Sequence, residues 1–443
     1  MAITQIKGSN IEDGTVLAAD IKDDSITNAK IKSDAAIDLS KLATTGTGSS
    51  SNFLRGDGAY AEAGSVPSLD AGDSPTNWML GSAAYQDAQE LKTGYTDSNW
   101  IVDGDLTQWP DGTSQTGLGA LKTYVSALWF SQLSSTVGRG TGSRDTDVPT
   151  LAESGHQSAY SLKWDCTTID ASPTTTDLLS YVYVITGSDY ANLHGGKEMT
   201  FSFWHKHTKT GVQSGSFQNS ARNRSYIFTY EQTTSNTWEK ATINFTTDTT
   251  GTWLFTEADV GMRISLMILT GGSFSDTTAD TWLAQDERGH DSQVNNVDST
   301  SNNMLFSQFC LRFGNSGEFT SPPVSTVQNQ VEYYYQSSYT NGTAPGTVTG
   351  LGAIQWLAWA GSGQNGHMNF TRFSRTMRAT PSITMYSPGT GATGKGRNDS
   401  TAADFNSAVA GSIENQKGFR YDINTTLVAG HQVRQHFTAD ARH

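Results

Sequence analysis

The sequence predicts an all-β protein with an N-terminal extended fibrous repeat, a central antiparallel jelly-roll sandwich and a C-terminal β-sandwich-like domain. Three observations support this prediction. The chain of 443 residues holds 44 glycines and only 16% charged residues, a balance that excludes a helical bundle or coiled coil. Its aromatic share of 10%, with 11 tryptophans, excludes general disorder. Short alternating apolar runs recur between turn clusters, and helical periodicity is nearly absent.

The first part, residues 1–60, is marked by apolar residues at intervals of five. A period of five fits neither the 3.6 residues per turn of a helix nor the 2.0 of a strand. One chain cannot bury a single-file apolar stripe, whereas three chains around a common axis can. The spacing predicts a homotrimeric stalk, and a disordered leader that waits for a partner is the alternative. The residues predicted to lie on the trimer axis are Ile6, Ile11, Val16, Ile21, Ile26 and Ile31.

The end of this first part carries a turn signal, and a connector follows it. Asp57 and Gly58 predict a turn between two short apolar runs. Arg55, Gly56 and Asp57 also spell a cell-adhesion tripeptide, but the turn explains these residues without a receptor. Residues 61–98 are predicted to be a linker.

The middle part, residues 99–323, is predicted to be the jelly-roll sandwich, because its strands are short and turns separate them regularly. In the last strand we expect Leu305, Phe309, Leu311 and Phe313 on one face, with Cys310 and Arg312 opposite. The strands are predicted at Tyr181–Ile185, Thr200–His205, Tyr226–Tyr230, Lys240–Phe245, Arg263–Leu269 and Met304–Phe313.

Residues 324–443 are predicted to be a second β domain. This part has nine basic and six acidic side chains, whereas residues 61–323 have 14 basic and 29 acidic ones. The mild positive charge suits an anionic target or a neighbouring subunit's acidic middle part. The predicted apolar runs and strands are Leu351–Trp359, Phe370–Phe373, Ser382–Tyr386, Phe419–Ile423, Leu427–Ala429 and Val433–Ala439.

Aromatic rings in both β domains are candidate sugar-binding residues, because an exposed ring stacks on the apolar face of a pyranose. Packing in the core is the alternative for each of them. Trp204 and Tyr226 are preferred because histidine, lysine or arginine side chains flank them in the sequence. The full candidate set is Trp204, Tyr226, Trp253, Trp282, Trp356 and Trp359.

Patterns of catalytic and metal sites are weak in this chain. The run from Gly389 to Lys395 looks like a phosphate-binding loop, but Gly396 stands where Ser or Thr must hold Mg²⁺, so a β-turn loop is predicted. His205 and His207 point the same way along a strand, without a third ligand nearby. No enzyme, metal or cofactor is predicted.

Four aspartates and the two cysteines also have chemistry that a site could use. Four aspartates offer oxygen ligands that suit Ca²⁺, but without EF-hand spacing a solvated acidic surface is favoured. Two unpaired buried thiols are favoured over a disulfide. The residues concerned are Asp103, Asp105, Asp276, Asp280, Cys166 and Cys310.

The net charge and the absence of long apolar segments exclude some classes of binding partner. The net charge of −14 argues against duplex nucleic acid, since phosphate contacts require surplus Lys and Arg. The start of the chain has no apolar h-region and no stretch approaches about 18 apolar residues. We therefore expect no signal peptide and no membrane insertion.

The isoleucine-repeat leader followed by FLRGDGAY resembles the N-terminal region of bacteriophage tail-fibre and virion structural proteins. The segment Asn99–Trp109 resembles the opening of a jelly-roll module of such proteins, with Asp103 and Leu106 where Asn and Phe are usual. VEYYYQSSY, MRATPSITMYSP and HFTADAR continue the resemblance, although a cysteine usual in the first of these motifs is absent.

This resemblance implies a virion protein that is assembled in the host cytoplasm. On this interpretation the N-terminus anchors to the phage tail or another virion protein, and the C-terminal domain is the receptor-binding tip for a host surface polysaccharide. The first alternative is a head fibre or capsid decoration protein without a receptor role. The second is a depolymerase of capsule polysaccharide.

Overall fold

The computed structural model describes residues 52–54, 60–62, 99–118, 121–314, 319–358, 368–409, 415–423 and 427–443. The isoleucine repeat from Ile6 to Ile31 and Trp359 lie outside the described residues. Near the N-terminus, strands β1 (Asn52–Leu54) and β2 (Tyr60–Glu62) pair antiparallel, with Phe53 opposite Ala61. Asp57 and Gly58, at which the sequence predicts a turn, lie outside the described residues.

The central domain is a sandwich of two antiparallel sheets. Its strands are β3 (Ser114–Leu118), β4 (Thr123–Tyr124), β5 (Phe130–Leu133), β6 (Arg139–Asp145), β7 (Ser161–Thr168), β8 (Leu178–Thr186), β9 (Glu198–His207), β10 (Gly211–Gln218), β11 (Ser225–Gln232), β12 (Glu239–Thr246), β13 (Val260–Thr270), β14 (Ser275–Asp276), β15 (Trp282–Leu283), β16 (Gly289–His290) and β17 (Asn303–Phe313). Its helices are α1 (Leu151–Ser154) and α2 (Gly187–Leu193).

The chain crosses repeatedly between the two sheets, as in a jelly roll, although β4 and β5, β6 and β7, and β10 and β11 are neighbours in the same sheet. One sheet has seven strands in the order β15-β11-β10-β13-β8-β5-β4, and the other has six in the order β12-β9-β17-β7-β6-β3. β14 and β16 form a separate parallel pair. All six strands predicted for this domain are present, so the predicted jelly-roll sandwich is confirmed.

Period-two alternation fills the space between the sheets with apolar side chains. Along β8, Leu179, Tyr181, Tyr183 and Ile185 all enter the core. Aromatic rings pack across the core, as where Phe217 stacks on Phe245 with ring centroids 4.1 Å apart. The rings that are almost completely buried include Trp109, Trp129, Trp164, Phe201, Phe203, Phe228, Phe306 and Phe309.

One predicted side-chain direction is wrong. In β17 the left-handed backbone of Gln308, with φ 54°, creates a bulge between Ser307 and Cys310. The bulge shifts the alternation by one residue. Phe309 and Leu311 therefore face the core together with Phe306, whereas Leu305 lies outside the core cluster.

The segment Asn99–Trp109 fastens the start of the domain to this bulge. Asn99 donates its side-chain amide to the carbonyl oxygen of Phe309 at 2.8 Å. Gly104 passes so close that a Cβ there would lie 2.1 Å from the same oxygen. The Asp103 carboxylate accepts three hydrogen bonds from the turn that follows it, and Trp109 is fully buried. The segment Asn99–Trp109 thus has a structural role here.

The C-terminal domain begins with helix α3 (Val324–Glu332), after which β25 pairs with four other strands. Phe373, Met385, Phe419 and Phe437 form its main core. The strands are β18 (Tyr335–Ser337), β19 (Ile354–Leu357), β20 (Met368–Arg372), β21 (Ser382–Tyr386), β22 (Lys395–Asn398), β23 (Ala403–Val409), β24 (Gly418–Ile423) and β25 (Gln432–Asp440). The predicted Leu427–Ala429 run is not a strand, and β22 and β23 were not predicted.

The C-terminal domain packs directly against the sandwich. Val327 and Val331 of α3 belong to the sandwich's own core cluster. Asn341 accepts a hydrogen bond from the backbone amide of Trp109 at 2.6 Å. Arg378 donates to the carbonyl oxygen of Glu257 at 2.5 Å. The two domains therefore share a continuous junction. Among the described residues, no helix is long and apolar enough to cross a membrane.

Candidate functional site

The polar face of β25 forms one wall of a groove at this junction. Phe437 and Ala439 enter the C-terminal core, so alternation turns Thr438 and Asp440 to the opposite face. The neighbouring strands β18 and β21 are in register with β25 and contribute polar side chains to the same face. These side chains are Tyr335, Ser337, Ser382, Thr384 and Tyr386.

A cavity of about 430 Å³ lies against this wall, and we name it the hydroxyl cavity. Ser382, Thr384 and Thr438 supply hydroxyl groups from the C-terminal domain, and the half-buried ring of Tyr386 stands beside them. Tyr124 closes the cavity from the sandwich side. Each hydroxyl group both donates and accepts a hydrogen bond, which matches the hydroxyl groups of a sugar.

Arg442 holds the two domains together at the edge of the hydroxyl cavity. Its guanidinium lies between the rings of Tyr124 and Tyr335, 3.6 and 4.1 Å from their centroids. It donates to Asp111 of the sandwich at 2.5 Å and to Asp440 of β25 at 2.7 Å. Burial by itself would lower the pKa of Arg442, but the charges of Asp111 and Asp440 have the larger combined effect, so the pKa is raised overall.

A second cavity of about 300 Å³ lies on the outer face of the seven-stranded sheet, and we name it the cationic cavity. Lys122, Arg222, Arg263 and His443 line it together with apolar side chains that include Phe130. No Asp or Glu is among the described residues that line it. The two cavities share Lys122 and His443 as walls, so they adjoin each other along one groove.

Both acids of the hydroxyl cavity pair with Arg442. Glycoside cleavage requires one carboxylic acid with a raised pKa that protonates the leaving group. Asp111 and Asp440 both bind Arg442 instead. Burial raises the pKa of Asp440, but the Arg442 guanidinium outweighs burial and the net direction is downward. A carboxylate with a lowered pKa is a poor proton donor at neutral pH, so Asp440 does not fit the role of the general acid.

Of the six sequence-predicted sugar-binding residues, Trp359 lies outside the described residues, and none of the other five lines either cavity. Tyr226 and Trp253 are buried, and Trp253 stacks on Tyr190 with ring centroids 4.7 Å apart. Burial leaves no face for a pyranose, so their predicted role is corrected to core packing. Trp282 is half-buried against the same core and donates its indole N–H to the carbonyl oxygen of Thr246 at 2.7 Å.

Trp204 and Trp356 lie elsewhere in the fold. Trp204 is half-buried on the outer face of the six-stranded sheet, where Lys240 and Ser307 are its cross-strand neighbours. Trp204 remains a candidate sugar contact, on a different sheet from the polar face of β25. Trp356 is half-buried and packs against the C-terminal core, and its predicted sugar contact stays a prediction.

The predicted histidine pair faces the core, not a ligand. His205 and His207 are buried, and their rings stack with centroids 5.0 Å apart. Nδ1 of His205 bonds to Gln232 at 3.0 Å. Burial lowers the pKa of His205 to about 4 and that of His207 as well. Among the described residues no group of three His, Cys, Asp or Glu side chains is placed to hold a metal ion.

Two of the four aspartates are not a solvated surface, contrary to the sequence-based expectation. Asp103 and Asp105 are buried. The carboxylate of Asp105 accepts a hydrogen bond from Ser158 at 2.6 Å and lies 3.0 Å from His156. Asp280 is exposed, as expected.

Two further sequence predictions concern the thiols and the glycine-rich run. Cys166 and Cys310 are both buried and no disulfide joins them, as the sequence predicts. The Gly389–Lys395 run is a turn that leads into β22, which confirms the loop prediction.

The groove residues were missed because they come from four separate stretches of sequence. Tyr124, Tyr335, Tyr386 and Arg442 meet only after the domains dock. The alternation within Val433–Ala439 was the one available signal, since it already separates Thr438 from Phe437. The local sequence does not show whether the polar face of that strand is open to solvent or covered by another domain.

When the chain is compared with known proteins, only solved structures are similar to it. No protein-family model matches the chain, and no curated protein matches it significantly. The family 11 carbohydrate-binding module of Lic26A-Cel5E from Clostridium thermocellum is 12% identical, covering 46% of this chain and 96% of its own, with a TM-score of 0.24. The CBM22-1 xylan-binding domain of Paenibacillus barcinonensis Xyn10C is 10% identical, covering 48% and 99%, with a TM-score of 0.23.

TmCBM61, solved with β-1,4-galactotriose, is 12% identical and covers 42% of this chain and 88% of its own, with a TM-score of 0.22. At these TM-scores the similarity carries no inference about what this chain binds.

Proposed function

We propose that this chain binds a host surface polysaccharide in the groove between its two β domains, as the attachment fibre of a bacteriophage. The single observation that carries the binding part is the hydroxyl cavity. Three hydroxyl side chains in register and the half-buried ring of Tyr386 combine polar and apolar contacts in a space of about 430 Å³. A pyranose needs this combination, with its hydroxyl groups on the edge and its C–H groups on one face.

The fibre part of the proposal rests on the sequence. The repeat from Ile6 to Ile31 and the FLRGDGAY segment support a trimeric stalk anchored to a phage tail or other virion protein. Three identical grooves on one axis would strengthen weak binding at each site, because the second and third contacts become intramolecular. The paired acids Asp111 and Asp440 support a binding role over a depolymerase.

Retention of the full-length chain on an array of purified bacterial surface polysaccharides tests the binding part. We expect at least one polysaccharide to retain the chain. Tyr386→Ala should weaken that retention about tenfold, equivalent to about 1.4 kcal/mol, because the ring provides the apolar contact. Thr384→Val should weaken it by a similar factor, because it keeps the shape and removes one hydroxyl group.

Trp204→Ala serves as the matched control, since it also truncates a half-buried ring but on another face. Loss of retention in Trp204→Ala with none in Tyr386→Ala would move the binding site to the six-stranded sheet. If no polysaccharide retains the folded chain, the decoration-protein alternative replaces the attachment role.

A further inference from the structure

The cationic cavity gathers positive charge in a chain whose net charge is −14. Lys122 comes from the loop before β4, Arg222 from the turn between β10 and β11, and Arg263 from β13, so only the fold brings them together. His443 completes the polar lining. Positive charges this close together repel one another, and a bound anion would offset that repulsion.

The nearest acids are already engaged by other cations. Asp286 holds Arg288 with two hydrogen bonds of 2.7 and 2.9 Å. Asp440 holds Arg442. Among the residues that the structure describes, no carboxylate forms an ion pair with Lys122, Arg222 or Arg263. Lys122, Arg222 and Arg263 are therefore left without a direct carboxylate partner among the described side chains.

The cations that line the cavity have donors to spare. Arg222 donates from one terminal nitrogen to Gln132 at 2.7 Å, and its buried Nε has no hydrogen-bond partner among the described residues. A buried N–H without a partner is costly, and an oxygen ligand would satisfy it. Arg263 donates to the backbone carbonyls of Asn219 and Ser220, which fixes the turn that carries Arg222.

Lys122 stands where the cationic and hydroxyl cavities meet. Its ammonium lies 4.3 Å from the ring centroid of Phe130 and 4.8 Å from that of Tyr124. These rings hold the side chain over the cavity, while Lys122 itself stays exposed to solvent. A ligand that spans both cavities would therefore pass this ammonium group.

The charge states agree with this geometry. Partial desolvation by the surrounding walls lowers the pKa of Lys122 to about 8, although the side chain keeps an exposed surface; Asp440 acts in the opposite direction, and the charges of Arg442 and Arg263 lower the pKa further. Burial and the charges of Arg222 and Arg288 lower the pKa of Arg263 to about 10. A bound anion would reverse both shifts and relieve the repulsion.

We propose that the cationic cavity binds an anionic group, a carboxylate or a phosphate, on the sugar next to the one held in the hydroxyl cavity. The substrate class is then an acidic polysaccharide. This inference rests on the proposed function, because it takes the adjoining hydroxyl cavity as the site of the neighbouring sugar. Arg222 and Lys122 supply the direct contacts, and Arg263 positions Arg222.

Calorimetric titration of the full-length chain tests the inference. The probes are D-glucuronate for the carboxylate, inorganic phosphate for the phosphate, and D-glucose as the neutral sugar. We expect one of the two anions to bind at least tenfold more tightly than D-glucose, and the stronger of the two identifies the group. Arg222→Gln and Lys122→Gln should each weaken anion binding about tenfold, and Arg222→Lys should lose less than Arg222→Gln.

Lys240→Gln is the matched control, because it removes one exposed positive charge from the other sheet. Far-UV circular dichroism confirms that each variant is folded, and Lys122, being exposed, can be replaced without disturbing the core. Anion binding that Arg222→Gln and Lys122→Gln leave unchanged would overturn the inference.

The failures of the two proposals are distinguishable. Retention of neutral polysaccharides, together with no calorimetric binding of D-glucuronate or phosphate, would overturn the anionic site and leave the proposed function standing. Anion binding that depends on Arg222, without retention on any polysaccharide, would support the anionic site and contradict the proposed function.

Discussion

Replacement of Arg442 by leucine tests how the groove is held together. The side chain of Arg442 is 3% exposed and binds Asp111 and Asp440 across the domain junction. It also donates to the carbonyl oxygen of Ala127 at 3.1 Å. Removing one partner of a buried ion pair costs about 3–5 kcal/mol, because the other partner stays buried and unpaired.

Here the loss should fall at the lower end of that range. The side chains of Asp111 and Asp440 are 21% and 36% exposed, so water can solvate them once Arg442 is gone. We expect Arg442→Leu to lower the free energy of unfolding by about 3 kcal/mol. Arg442→Lys should lose less, since it keeps the charge but cannot bind both carboxylates with a planar guanidinium.

Urea unfolding followed by circular dichroism measures these differences. Arg434→Leu is the matched control, because Arg434 binds Asp399 within the C-terminal domain and is more exposed. A partly exposed pair of this kind contributes about 0–1 kcal/mol. A loss of less than 1 kcal/mol in Arg442→Leu would refute the view that this residue clamps the junction.

Two further predictions concern the buried histidines and the stalk. Because burial lowers the pKa of His205 to about 4, the folded state binds fewer protons than the unfolded state below pH 6.5, so stability should fall as the pH drops. Between pH 7.5 and 5.5, His205 should lower the free energy of unfolding by about 1 kcal/mol. His205→Gln, measured in parallel, should lack this contribution, and the other titrating groups cancel in the comparison. An equal pH dependence of both proteins would contradict this prediction. For the stalk, light scattering should give a mass near three times 47.7 kDa, whereas a monomer would contradict the trimeric axis.

Much of the fold could be predicted from the sequence, because a strand that is buried on one face shows this in its own residues. The runs around Tyr181, Phe201 and Ile264 all alternate, and each one forms a strand. The prediction failed at Leu305, because a bulge at Gln308 arises from the pairing of β17 with its neighbours. No pattern within one strand records such a shift.

The site could not be predicted in the same way. Aromatic residues were preferred as sugar contacts where polar residues flank them in the sequence. Flanking residues do not show whether the opposite sheet covers the ring. Tyr226 has arginines nearby in sequence, yet its ring packs against Phe217 and Phe245. The groove depends instead on the docking of two domains, which brings Tyr124 and Tyr386 to one cavity. Contacts over such separations leave no local pattern.

The structure of the chain in complex with an oligosaccharide from a retained polysaccharide tests the central claim most directly. The account predicts a sugar ring against Tyr386, with its hydroxyl groups bonded to Ser382, Thr384 or Thr438. An acidic substituent should lie within hydrogen-bond distance of Arg222 or Lys122. A sugar bound at Trp204 on the six-stranded sheet, with both cavities of the groove unoccupied, would contradict the account.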